Sequence, residues 1–386
     1  MTLSRRALLA SLCAAPPLLG APGEPLTLPA RRNDFHQLLV PARIENSAPL
    51  WSELDSGGGG PLVFIDAAHA AAIGVQPTFY GRSAGPAEGG LAPDLRARVT
   101  LAFPGLTVPD QELVIKAGAL PGDKDASIGM PVLNRFVVEL DHESPAVRLH
   151  DPALFRYSGP GRTIPFTIEE NYPFTAATLT LRDGQQVTAR MVIDTGAVGS
   201  IAYFSRSFAL QNKLTERALA SAPDTMGRTA CRIERFALGA LGINRPVVHH
   251  FGTPGFGGKT EPDGMIAADF LRRFRVFLDY GRGRMILEPN RSYGEPAVFD
   301  ASGLRVHRIP NAPNTLRIYE VLAGTPAAEA GLRPDDLLAA LDDTPVERMS
   351  AGMVQEALTR EGRESSLLIQ RGGEVFTIRL KLRRLL

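Results

Sequence analysis

Asp55 and Asp194 are the residues of this sequence whose types and spacing promise chemistry. Each follows apolar residues and precedes a small hydroxyl residue and a glycine, in Glu53-Leu54-Asp55-Ser56-Gly57-Gly58 and in Val192-Ile193-Asp194-Thr195-Gly196-Ala197. Alone, either would read as a turn. A second echo follows each at nearly the same distance. Asp125-Ala126-Ser127-Ile128-Gly129 leads into Leu133, Phe136, Val138, Leu140 and Asp141, and Asp263-Gly264-Met265-Ile266-Ala267 leads into Leu271, Phe274, Val276, Leu278 and Asp279. A two-part pattern kept in step over so long a gap reads as a duplicated lobe, each copy giving one carboxylate to a shared site.

Two carboxyl groups in contact are suited to hydrolysing a peptide bond without a metal or a covalent nucleophile. Like charges about 3 Å apart do not both ionise cheaply, so one proton is shared, one group serving as base toward water and the other as acid. Positioned proton transfer of this kind contributes roughly 10² to 10⁴ in rate. The neighbours suit the task. Gly57 and Gly196 let backbone amides approach the carboxylates, and Ser56 and Thr195 have hydroxyls to bond the opposing loop. Gly58 and Ala197 lack the hydroxyl that pepsin-type enzymes, whose motif these loops resemble, place there; with one fewer donor the resemblance implies a pair that titrates higher and works in weakly acidic to neutral conditions.

The elements that must hold these residues are mostly strands. Short alternating runs such as Leu38-Leu39-Val40 and Arg98-Val99-Thr100-Leu101 fill a first unit over 35–152. A second unit over 160–290 repeats the pattern, with strands expected at Ala176 to Leu181, Val187 to Ile193 and Arg275 to Asp279. Short helices are expected after each aspartate loop, at Asp66 to Ile73 and Tyr203 to Gln211. Gly-rich and Pro-rich breaks at 81–93 and 220–227 lie between each aspartate and its later echo, where a hairpin would cover a cleft or the chain would form an ordinary surface loop. From residue 300 the pattern changes: a short helix at Ala327 to Ala330 with Thr325 as hydroxyl N-cap, a strand at Leu337 to Leu341, an amphipathic helix at Ala351 to Arg360, and a hairpin turning at Gly372-Gly373.

A chain of 386 residues with 44% hydrophobic and 22% charged residues is globular and long enough for two or three domains. No basic run with interleaved aromatics appears, which argues against nucleic acid as a ligand. Residues 1–25 read as a bacterial export signal: Arg5-Arg6, an apolar stretch to Leu19, then Gly20 and Ala21, with the arginine pair resembling the twin-arginine type. The stretch is too short to span a bilayer, so no stable membrane insertion of the mature chain is expected, and a periplasmic or secreted location follows. Cys231 would then be the single thiol, leaving the fold without an intrachain disulfide.

The paired aspartate motifs resemble those of the retropepsin-like aspartic proteases, fused here into one chain, over most of residues 35 to 290. Asp194-Thr195-Gly196-Ala197 matches the family motif closely. Asp55-Ser56-Gly57 matches it with Gly58 in the usual alanine position, and Ala267 replaces a glycine of the later echo. Val321-Leu322-Ala323-Gly324-Thr325-Pro326-Ala327-Ala328-Glu329-Ala330-Gly331-Leu332 resembles the helix-opening signature of a bacterial PDZ domain, here over 300–386. The resemblances imply a mainly β protein of two pseudo-symmetric β-barrel lobes and a C-terminal α+β PDZ domain. They imply an aspartic endopeptidase with the dyad Asp55 and Asp194 supported by Ser56, Gly57, Thr195 and Gly196, acting on polypeptide. They also imply capture of peptide C-termini or extended segments, with Ser302-Gly303-Leu304 as carboxylate loop, Arg305 to Ile309 as receiving edge, and Val354 and Leu358 lining the groove.

No metal or cofactor is expected. His249-His250 would point to opposite faces of a strand, and Cys231 has no partner spaced for zinc. Gly252 to Thr260 fails the spacing of a phosphate loop. Two other readings stand beside the endopeptidase: a periplasmic peptide-binding adaptor with a degenerate protease fold, and a self-processing regulator gated by its C-terminal domain.

Overall fold

The alternating apolar runs become strands, and strands dominate the fold. The computed structural model describes residues 24–58, 63–84, 91–116, 120, 124–224, 227–252, 261–309 and 312–386. The export-signal reading and the tips of the two breaks, 85–90 and 225–226, therefore lie outside the described residues or nearly so.

In the first lobe an eight-stranded sheet is closed on itself, because the strand Leu38–Ile44 pairs with Leu50–Leu54 at one end and with Leu91–Phe103 at the other. The strand that ends before Asp55 lies parallel to Ala126–Ile128, with Leu54 opposite Ile128. In the second lobe Gln186–Ile193 ends before Asp194 and lies parallel to Gly264–Ile266, with Ile193 opposite Ile266. The copies agree bond for bond: Asp55 N–H donates to Ile128 O (2.8 Å) and Asp194 N–H to Ile266 O (3.0 Å). Likewise Trp51 N–H donates to Asp125 Oδ2 and Arg190 N–H to Asp263 Oδ2, each at 2.7 Å.

A six-stranded sheet joins the lobes, in the order Leu26–Pro29, Ala146–His150, Val137–Asp141, Phe274–Asp279, Arg284–Pro289, Arg162–Pro165. At its centre the later echoes of the duplication pair antiparallel, Val137 with Asp279 and Asp141 with Arg275. Glu139 faces Phe277, which is its own counterpart in the other copy, so a pseudo-twofold axis passes through that pair. One apolar core runs through both lobes, from Leu28 to Leu287. The first unit begins before residue 35, since Leu26 to Pro29 is paired to Leu149 to Ala146.

Three local expectations change. Tyr203 and Phe204 are strand, not helix, because they pair with His249 and His250 on one side and with Met265 and Gly264 on the other; the helix is Arg206–Gln211, capped by Ser205. The helix after the first motif is Ala67–Ala72, with Asp66 accepting from His69 N–H as its cap. Thr325 does not cap the helix Pro326–Glu329; its hydroxyl donates instead to Leu322 O at 2.6 Å.

The C-terminal unit has its own core, from Ala301 to Leu382, beneath a sheet ordered Leu304–Ile309, Ala312–Val321, Leu337–Leu341, Glu364–Arg371, Glu374–Lys381. It is tied to the second lobe by Arg305, whose guanidinium lies 3.0 Å from Asp224. Asp224 belongs to the turn joining Ala220–Pro223 to Arg228–Arg232, the hairpin that falls at the second Gly/Pro break.

Candidate active site

Each aspartate stands where a buried strand gives way to a turn, with no side chain on the second residue after it. The loops interlock through their hydroxyls. Ser56 Oγ donates to Ile193 O (2.7 Å) and accepts from Thr195 N–H (3.0 Å). In return Thr195 Oγ1 donates to Leu54 O (2.5 Å) and accepts from Ser56 N–H (2.9 Å). These hydrogen bonds cross between the lobes at one point, each short hydroxyl serving as both donor and acceptor.

The glycines explain why the loops come so close. A methyl group on Gly57 would overlap the carboxyl of Asp194, and one on Gly196 would lie 2.6 Å from Cγ of Asp55. Each carboxyl therefore rests on the opposite loop's glycine, and the two acids meet at the seam. Their own loops hold them: Gly57 N–H donates to Asp55 Oδ1, and Gly196 and Ala197 N–H both donate to Asp194 Oδ1, each at 2.9 Å. The copies differ at the next residue, since Gly58 N–H turns to the Asp55 backbone carbonyl instead. Ser127 Oγ lies 3.4 Å from Asp55 Oδ2.

Burial pushes the Asp194 carboxyl well above the usual carboxylate range, and the neighbouring charge of Asp55 adds to it. The Ala197 and Gly196 amides pull the other way, as donors to a charged carboxylate do. Tyr172, half-buried at the start of Tyr172–Thr180, has its hydroxyl pushed up by burial and by the charges of Asp55 and Asp194, which places it within electrostatic reach of both.

A further set of polar groups beneath the dyad was not singled out by the sequence. Glu53 is buried and accepts from Lys124 Nζ on one oxygen and from Gln37 Nε2 on the other. Gln37 Nε2 also donates to Gly196 O at 3.0 Å. The signal was present in the duplication: the counterpart of Glu53 is Val192, an apolar residue in the other copy.

At the C-terminal unit the five expected peptide-binding residues come together, but not as an open site. Ser302 and Gly303 N–H donate to the two carboxyl oxygens of Asp300 (3.0 and 2.7 Å), and Leu304 N–H donates to Ser302 Oγ (3.0 Å). The loop amides that a peptide carboxylate would need are already bonded. Leu304, Val354 and Leu358 are fully buried in the unit's core rather than lining a groove. Gln355 Nε2 reaches across from the helix Ala351–Ala357 to Leu304 O at 3.2 Å.

His249 and His250 do take separate partners, Ser200 Oγ and Thr215 Oγ1, both at 2.8 Å. Cys231 is a buried free thiol. Among the described residues no cluster of His, Cys, Asp and Glu is arranged to hold a metal, and no helix is long and apolar enough to cross a membrane.

No curated protein matches the chain. A family model described as PDZ domain matches residues 317–371, within the C-terminal unit. Residues 317–371 are thus a PDZ domain, a kind of module that binds peptide segments.

Proposed function

We propose that the chain is an aspartic endopeptidase of the retropepsin-like type, with Asp55 and Asp194 as its catalytic dyad and the PDZ domain as a peptide-capturing module. The observation that carries this reading is the crossed contact in which each carboxyl lies on the other motif's glycine. That arrangement brings two acids to one point and leaves them one proton between them.

On this reading one carboxyl of the pair holds the proton and serves as acid while the other, ionised, serves as base. The ionised carboxyl takes a proton from water as the water oxygen attacks the scissile carbonyl carbon, while the protonated carboxyl gives its proton to the carbonyl oxygen. The tetrahedral diol then collapses: the C–N bond breaks, the nitrogen takes a proton from the carboxyl that received one, and a diol hydroxyl returns its proton to the other carboxylate, restoring the pair. Ser56 and Thr195 hold the loops in register so that neither carboxyl turns away.

The PDZ domain, on this reading, takes an extended segment along the edge Leu304–Ile309 rather than a free C-terminus, because the loop amides of residues 302–304 already serve Asp300 and Ser302. The leading segment at residues 1–25 supports action in the periplasm or outside the cell.

The test is hydrolysis of an unfolded polypeptide in ¹⁸O-water, read by mass spectrometry of the new C-termini. Wild type incorporates the label, and Asp55→Asn and Asp194→Asn each abolish cleavage while peptide binding persists. Peptide binding without any cleavage by wild type would establish the adaptor reading instead.

A further inference from the structure

A third carboxyl group lies under the proposed dyad, in one copy of the duplication and not in the other. Glu53 stands two residues before Asp55 in the strand Leu50–Leu54, where Val192 fills the matching place before Asp194. It is 3% exposed, and a buried acid is retained only where its charge is matched and its oxygens are bonded.

Both conditions are met. Lys124, itself nearly buried, donates to Glu53 Oε1. Gln37 donates to Oε2 through its amide nitrogen, and the orientation of that amide is fixed because Asn33 Nδ2 donates to Gln37 Oε1 at 2.7 Å. The same nitrogen donates to Gly196 O. Gly196 is the residue on which the Asp55 carboxyl rests. A chain of contacts therefore runs from Lys124 through Glu53 and Gln37 to the opposite lobe's motif, and nothing equivalent starts from Val192.

We infer that Glu53 is a positioning residue for the dyad: through Gln37 it fixes the Gly196 carbonyl against Asp55, and its charge makes the two halves of the site electrically unequal. The inference rests on the endopeptidase reading and adds to it a residue buried behind the two aspartates.

The groups facing Glu53 come from every element around it. They are Lys124, Asp55 and Ser127 in its own lobe, Gln37 from the strand's approach, and Asp194 across the seam. His142 lines the same small cavity of about 10 Å³ with Glu53, Gln37 and Thr195, and burial holds it down at about 4, so it is neutral in the working range. Burial pushes the Glu53 proton up to about 7, Lys124 opposes this, and Asp55 adds to it. Glu53 consequently ionises in the range where the dyad is expected to lose its own proton. The coupling has a definite sign: a negative charge at Glu53 holds the proton on the dyad to higher pH, and its removal, with Lys124 left cationic, releases that proton earlier.

Two variants separate charge from position. Glu53→Gln is expected to move the alkaline limb of the kcat/KM profile toward acid by at least about one pH unit, because a negative charge beside the two aspartates is lost while Lys124 remains. Gln37→Met leaves the charge in place and removes the bridge, and is expected to lower kcat about tenfold while KM and the alkaline limb stay where they are. Thermal unfolding of both proteins checks that the lobes remain assembled, and Gln37→Met carries the test if Glu53→Gln does not fold. Folded variants with the wild-type profile and wild-type kcat overturn the inference. Failure of the endopeptidase reading looks different: wild type itself does not cut, or Asp194→Asn cuts as well as wild type.

Discussion

Gly57 of the first loop and Asp194 of the second are in direct contact across the seam between the lobes, and a single added methyl group at Gly57 would occupy the space of the Asp194 carboxyl. The reciprocal contact joins Gly196 to Asp55. The overlap is with a carboxyl held by two amides, not with a flexible side-chain end, so relief requires the loop to shift.

Gly57→Ala is accordingly expected to lower kcat by more than about a hundredfold, since a displacement of about 1 Å at a reacting group costs that much. A steady-state assay on an unfolded substrate, with circular dichroism to show the strands intact, checks it. Retention of most of the activity would mean that the dyad tolerates separation.

Asp194 also couples the site to stability. Its folded-state proton affinity is raised, so over the window above the ordinary carboxylate value of about 3.9 the native state binds more protons than the unfolded chain. Stability from this group is complete below that value and is lost as pH rises through the folded-state value. Asp194→Asn removes the penalty and should melt higher than wild type at neutral pH, with the gap closing near pH 3. Calorimetry at the two pH values measures it, and an unchanged gap would deny the raised affinity.

Glu139, on the pseudo-twofold axis, behaves in the opposite sense. Burial alone would raise it, but hydrogen bonds from His150 and Arg275 and the charge of Arg148 hold it at about 2. Its contribution is present above its unfolded value of about 4.3 and is lost as pH falls toward 2. Glu139→Gln is expected to cost on the order of 2 kcal/mol at pH 7, the scale of hydrogen bonds to a charged group. Urea unfolding at pH 7 and pH 2.5 should show a markedly smaller loss at the lower pH.

Asp300 occupies the loop of residues 302–304 from within. Asp300→Ala frees the Ser302 and Gly303 amides, and affinity for a peptide with a free C-terminal carboxylate should rise at least about tenfold, a change of about 1.4 kcal/mol. Fluorescence anisotropy with free and amidated peptides reads the effect. An equal gain for the amidated peptide would indicate general loosening.

The duplicated motifs were legible because chemistry at close quarters tolerates so few residues: an acid, a short hydroxyl and a glycine recur at Asp55-Ser56-Gly57 and Asp194-Thr195-Gly196, and the crossed hydrogen bonds follow from them. The later echoes were legible too, since the same apolar spacing builds the strands that pair at Glu139 and Phe277. Tyr203 and Phe204 were misread as helix because only long-range partners, His249 and Met265, make them strand. Glu53 and Asp300 were missed for a related reason. A single acidic residue in a short segment reads as surface, and its meaning comes from Lys124 and Gln37 in one case and from a turn of backbone amides in the other.

Whether the two carboxyls share a proton is read directly by carbon-13 NMR of the aspartate carboxyl groups, comparing wild type with Asp55→Asn and Asp194→Asn across pH. Two well-separated steps assigned to the pair, with one proton kept into the weakly acidic to neutral range and that step moved in either variant, is the predicted result. Ionisation of both carboxyls together near the ordinary value of about 3.9, unaffected by loss of the other, would contradict the dyad.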